Sequence, residues 1–203
     1  MTRRRRLAIA CALLAIGSGS AAQDRRADTD WRKAATIADR ARLRQWRAAW
    51  IEALATMETN GAGGMVAADP ALFDPDRALP DAGLPAGDYR CRALRLGMSG
   101  VKAPRTMAWT PCVVATAGGA STFDIVGTLR VSGRLYDDAG ARLVFLGVLG
   151  FGDERRVMRY GRDGTRDMAG VVERIAAKRW RLVLPYPHFG GTMDVVEIVP
   201  RDG

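Results

Sequence analysis

The sequence predicts a small antiparallel β-barrel or sandwich of eight or nine strands, with one amphipathic helix packed on its outside. Three observations carry this. From Asp88 onward, short alternating or β-rich runs follow one another at close intervals, separated by turn-forming residues. No long helical pattern lies between them, as the crossovers of a parallel sheet would require. Ahead of them, Leu43, Trp46, Trp50, Leu54 and Met57 recur at spacings of 3, 4, 4 and 3, the period of a helix face.

The N-terminus, MTRRRRLAIACALLAIGSGSAAQD, has four arginines, an apolar run of ten residues over 7–16, and small residues over 17–22. That layout is a secretory leader, with cleavage expected near Ala22. The apolar run is too short to span a bilayer, which needs about 20 residues, so no transmembrane segment is expected in the mature chain. Cys11 sits too soon after the arginines to be a lipidation site. The product is expected to be periplasmic or secreted. The chain thus divides into a leader (1–22), a helix and wrapping linker (23–87), and a β body (88–203), the last two forming one domain.

The helix is expected over 36–60. Thr36 with Asp39 resembles a capping box, although Glu or Gln is usual at N3, and Gly61 is a natural C′ residue. Its two tryptophans are best read as docking the helix on the body, since such stripes are usually core. The linker GAGGMVAADPALFDPDRALPDAGLPAG holds four prolines and many glycines, which forbid a long regular element. Within it, Leu72, Phe73 and Leu79 are expected to tuck inward.

The strand texture begins with DYRCRALRL and continues through CVVAT, TFDIVG, LRVSGRLY, RLVFLGVLGF, VMRY, MAGVVERI, RWRLVLP and DVVEIVP. DDAG (137–140) and AAK (176–178) are hairpin turns, and DERR (153–156) is a solvated tip. The run LVFLGVLGF (143–151) is apolar on both faces, so it needs an outer cover. The 36–60 helix is the expected cover. Gly127, Gly133, Gly147 and Gly150, within or beside strands, are expected to let the sheet curl.

Loss of the leader removes Cys11 and leaves Cys91 and Cys112. In an oxidising compartment these are expected to bridge, closing a loop of 22 residues (91 to 112 inclusive) that contributes about 3 kcal/mol on the chain-entropy model. Two cysteines and one histidine make a poor zinc set, and there is no C-x-x-C redox pair. No metal or other cofactor is expected. The mature charge is 27 − 22 = +5, from 31 basic residues less the four leader arginines, against 22 acids. With no lysine-rich or aromatic-interleaved basic tract, nucleic acid is not an expected partner.

The blocks ADRARLRQWRAAW, LPAGDYRCRALRLG, GRLYDD, VFLG, YGRDGTRDMAGVVERI, RWRLVLPYPHF and DVVEIVP together resemble the exported bacterial family called domain of unknown function 4893. The resemblance covers about residues 30–200 and is most specific in the C-terminal blocks. It implies export. It supplies no catalytic residues to carry over. Gly190-Gly191 after PHF departs from the bulkier, more polar residues expected there.

Two stretches could carry chemistry. His188, the single histidine, is a weak candidate base. It would need an orienting acid and a nucleophile, and the simpler reading is a loop histidine bonded to backbone. In YGRDGTRDM (160–168), Arg162, Asp163, Arg166 and Asp167 alternate in sign. They could grip a carboxylate or phosphate through the arginines, or hold a cation through the aspartates. A turn whose aspartates bond their own backbone, with Arg–Asp pairs at the barrel mouth, is the plainer account. Together these five residues are the candidate ligand-binding set.

Three functions follow, in order of expectation. The first is a binding module, a small barrel of the lipocalin-like class, holding a small apolar or amphipathic ligand. It predicts an apolar cavity of a few hundred Å³. The second is an envelope interaction or inhibitor protein, which predicts a packed interior and an exposed apolar patch. The third is an enzyme using His188 or the 162–167 charges, which predicts an acid within hydrogen-bond reach of His188 in a cleft.

Overall fold

The computed structural model describes residues 30–201 apart from 102, 118, 128, 139, 153, 155 and 156. The leader, Cys11 and most of the 153–156 turn lie outside the described residues. Nine strands form one antiparallel sheet: β1 (Gly87–Leu96), β2 (Arg105–Thr106), β3 (Thr110–Ala117), β4 (Ala120–Ile125), β5 (Leu129–Asp138), β6 (Arg142–Phe151), β7 (Asp167–Ala176), β8 (Arg179–Pro185) and β9 (Met193–Pro200). From β3 to β9 each strand pairs with the next in sequence, β1 pairs β3, and β1 also pairs β9 across Tyr89–Leu96 and Pro200–Met193. That last pairing closes eight strands into a barrel and leaves no long open edge. The two-residue β2 joins the free half of the β1 edge, beyond β3.

The count of nine is reached by a different route from the expected one. VMRY (157–160) is not a strand, and Arg105–Thr106 is. Two contacts explain where VMRY goes. Val157 packs where a Cβ on Gly150 would stand. The Tyr160 hydroxyl donates to Asp39 Oδ2 at 2.5 Å and accepts from the Thr36 amide at 3.1 Å. The segment is therefore tied to the outside of the barrel instead of entering a ladder.

The expected single helix is two. α1 (Trp31–Ala34) leads into α2 (Ile37–Arg44) and α3 (Trp46–Thr59), with a break at Gln45. Curvature of the wall accounts for the break. Leu43 and half-buried Trp46 pack with Val144, Leu146, Ala169 and Val171 on β6 and β7. Trp50, Ala53 and Met57 instead reach Leu94, Leu96, Val183, Met193 and Val195 on β1, β8 and β9. One straight rod could not follow both patches. The doubly apolar strand β6 thus has its cover, but only the first part of the helical arm supplies it. The Thr36 cap is half a capping box: its Oγ accepts from the Asp39 amide at 3.1 Å, while Tyr160, not Asp39, receives the Thr36 N–H. Two further short helices, α4 (Gly63–Ala68) and α5 (Pro70–Phe73), punctuate the linker and bury Leu72 and Phe73.

Alternation along the strands sorts the core into an inside and an outside. Inside stand Tyr89, Cys91, Phe123, Phe145, Trp180, Leu182, Val196 and Ile198, among others. Two T-shaped pairs, Tyr89–Trp180 and Phe123–Phe145, each at 6.0 Å, fill one half of the barrel. Linker residues plug that end: Leu84 is buried there, Tyr89 Oη donates to Pro85 O at 2.7 Å, and Trp180 Nε1 donates to Gly83 O at 3.2 Å. Gly133 and Gly147 face each other across β5 and β6, and a Cβ on either would meet the Phe145 ring at 2.5 Å or less. Their role is to make room for that ring. Cys91 and Cys112 form a disulfide on the inner face between β1 and β3, with Cα atoms 6.0 Å apart.

The outer face under the helices carries charges that alternation alone would have placed in water. Arg181 and Glu173 are opposite one another on β8 and β7 and both are fully buried. Arg181 Nε and Nη2 donate to Glu173 Oε2 at 2.8 and 2.6 Å, and its Nη1 donates to Leu72 O and Asp74 O at 2.9 and 2.7 Å. Its guanidinium lies 5.0 Å from the Trp50 ring. The pair therefore clamps the linker backbone to the barrel wall, which meets the requirement that a buried charge be matched and hydrogen-bonded.

Candidate functional site

The unplugged half of the barrel is a cup. Its cavity has a volume of about 380 Å³, within the range of small-molecule sites. The floor and wall are apolar, made by Cys91, Ala93, Leu149, Met168, Leu184 and Val196. Small residues create the space: Ala93 occupies an inner position that a larger side chain would fill, and the next inward residues on the same strands are polar. On β1 the inner row reads Tyr89, Cys91, Ala93, Arg95; on β9 it reads Asp194, Val196, Ile198. Each row is apolar at the plugged end and charged at the mouth.

The mouth is built from the connections that follow β1, β4, β6 and β8. Arg95 and Asp194 stand directly opposite one another on β1 and β9 and form a two-point ion pair, with Nε–Oδ1 and Nη2–Oδ2 both at 2.7 Å. Arg166 pairs with Glu154, lies 3.6 Å from Asp163 Oδ2 and stacks on the Phe151 ring at 5.0 Å. The hydrogen bond from Arg166 holds the Glu154 carboxyl below the usual carboxylate range. Arg42 reaches in from α2, pairing with Asp39 and donating to Asp167 O at 3.1 Å. Arg105 enters from β2.

The five sequence candidates separate here. Arg166, Asp167 and His188 line the cavity, whereas Arg162 and Asp163 do not. Asp163 is turned to its own loop, its Oδ1 accepting from the Thr165 amide at 3.0 Å and the Thr165 hydroxyl at 2.6 Å. Arg162 is exposed. Asp167 is buried at 2 % exposure and accepts from the Gly161 amide at 2.9 Å. Burial pushes its carboxyl pKa up. His188 is exposed on the rim, and among the described residues its ring has no carboxylate within hydrogen-bond reach. Also among the described residues, no group of three or more His, Cys, Asp or Glu is placed to hold a metal ion, and no helix is long and apolar enough to cross a membrane.

Reading the sequence missed Arg42, Arg95, Arg105 and Asp194. The signal for Arg95 and Asp194 was present: each continues an inward-facing apolar row with a charge, which marks where a strand leaves the core. Arg42 and Arg105 come from elements whose contacts depend on barrel closure, and no local pattern points to them.

Around the cup stands an apolar rim. Val101, Trp109, Val126, Phe151, Met158 and Phe189 are exposed. Trp109 packs on Arg90 and Arg92 on the outer wall of β1; the other five of the nine exposed large hydrophobic residues among those described lie by the mouth connections, where single scattered ones would need no explanation.

By architecture the protein is a closed eight-stranded antiparallel barrel with one plugged end and one open, arginine-rimmed cup. By sequence it belongs to the family described as domain of unknown function (DUF4893), whose model matches residues 31–198. No curated protein and no solved structure matches it.

Proposed function

We propose that the protein is an exported, non-catalytic binding module that takes a small apolar or amphipathic ligand into the barrel cup. One observation carries the reading: the interior is packed by aromatic pairs in one half and empty in the other, leaving about 380 Å³ behind an open mouth. A barrel selected only as a rigid frame would gain stability by filling that space. Export is supported by the leader pattern and by a disulfide, which persists in oxidising compartments. For the enzyme reading with His188 as base, no acid among the described residues is hydrogen-bonded to the ring to orient it.

The test is binding of the neutral fluorophore N-phenyl-1-naphthylamine, whose emission rises in apolar sites. Saturable binding is expected at one site per chain. Ala93→Trp, which fills the cup from its wall, is expected to abolish it while the far-UV circular dichroism stays unchanged. Equal binding by the parent and the Ala93→Trp variant would remove the cup as the site.

The rim of exposed hydrophobic residues favours a second reading, in which the mouth docks on another envelope component. On that reading the fluorophore would not bind with one-site saturation.

A further inference from the structure

Four arginines line the cup: Arg42, Arg95, Arg105 and Arg166. Three are matched by acids. Arg42 has Asp39, Arg95 has Asp194, and Arg166 has Glu154 and Asp163. Among the described residues Arg105 has neither an acid nor a hydrogen-bond acceptor for its guanidinium. Arg105 is exposed at the rim of the cup and also lines it. Arg105 is directly opposite Arg95 in the β1–β2 ladder, so two like charges share one rung and one face. Arg95 is already matched by Asp194. Asp194 cannot serve both, because each of its carboxylate oxygens already accepts from Arg95 at 2.7 Å. The rung Arg105–Arg95–Asp194 therefore carries one uncompensated positive charge, set where the apolar wall of Ala93 and Val196 ends.

Resting on the cup being a binding site, we propose that its ligand is a single-chain amphiphile with a carboxylate head: the head pairs with Arg105 at the rim, and the tail lies on Ala93, Leu149, Met168 and Val196. One guanidinium offers a fork that matches a carboxylate in two bonds. A phosphate monoester carries about −1.5 to −2 at neutral pH, more than the single charge the rung leaves open. A neutral head would leave the Arg105 charge without a counter-ion.

The experiment is displacement of N-phenyl-1-naphthylamine by decanoate, 1-decanol and decyl phosphate at pH 7.5, in the parent protein, in Arg105→Ala and Arg105→Gln, and in Arg162→Ala as a control outside the cup. In the parent, decanoate is expected to displace the fluorophore about tenfold better than 1-decanol and at least as well as decyl phosphate. Both Arg105 variants are expected to erase the preference for decanoate while leaving 1-decanol unchanged; Arg162→Ala is expected to change neither. The proposal is overturned if decanoate and decanol compete equally in the parent, if decyl phosphate is clearly preferred, or if the Arg105 variants weaken both to the same extent. In those cases the fluorophore still binds, and the cup survives as an apolar site. Failure of the fluorophore to bind the parent at all removes the binding reading itself.

Discussion

Arg181 is where the barrel holds its own wrapping, and its replacement by methionine tests that role. Arg181→Met keeps an unbranched chain of similar length but deletes two hydrogen bonds to Glu173 and those to the carbonyls of Leu72, Asp74 and Arg77, the last at 3.2 Å. Glu173 keeps one partner, Arg142 Nε at 2.8 Å. Removing one member of a buried pair costs roughly 3–5 kcal/mol, and each carbonyl left dry adds to that until the linker loosens and water reaches it. A loss of about 4 kcal/mol is expected, or roughly 8–16 °C in Tm for a domain of this size. The assay is urea unfolding at pH 7, with limited proteolysis across residues 70–87 as a second readout. The double variant Glu173→Met with Arg181→Met removes both buried charges and is expected to recover about half of the loss, because the carbonyls remain unsatisfied while Arg142, which loses Glu173, is exposed enough to be solvated. A single variant within about 1 kcal/mol of the parent, with the linker no more cleavable than before, would refute the clamp.

Two other outcomes are expected. Replacing Cys91 and Cys112 together by alanine should lower stability by about 3 kcal/mol, from the 22-residue loop they close on the chain-entropy model; reductant should do the same to the parent, and a midpoint unmoved by either would remove the staple as a stabilising element. Asp167 gives a pH signature of defined sign. Its folded-state pKa is raised by burial, so the folded chain holds a proton that the unfolded chain has already released, and stability falls as pH rises from the ordinary carboxylate value, about 3.9, through the raised one. Asp167→Asn should therefore be more stable than the parent at pH 7 and equal to it near pH 3.5, as read from urea midpoints; a variant less stable at pH 7 would show that the Gly161 hydrogen bond outweighs the desolvation.

What the sequence determined by itself was whatever depends on near neighbours. Alternation along 88–200 marked the strands and which residues share a face. The stripe from Leu43 to Met57 marked the helical arm, and the cysteine pair marked the staple. The strands and the arm are properties of spacing, and the 3.6 and 2 residue periods mark them before any tertiary contact forms; the staple followed from there being two cysteines in an oxidising compartment. Tertiary structure decided the rest. VMRY has strand texture, yet Tyr160 is captured by Asp39 and Thr36, more than 120 residues earlier in the chain. The helical arm breaks at Gln45 because the wall it covers is curved. Glu173 on β7 and Arg181 on β8 are buried because the linker and arm lie over them. The cup exists because closure of β1 on β9 brings Ala93, Val196 and the Arg95–Asp194 pair to one end, while Leu84 and two aromatic pairs occupy the other. Which end of a barrel is filled depends on side chains from eight strands at once, and no stretch of sequence holds that sum.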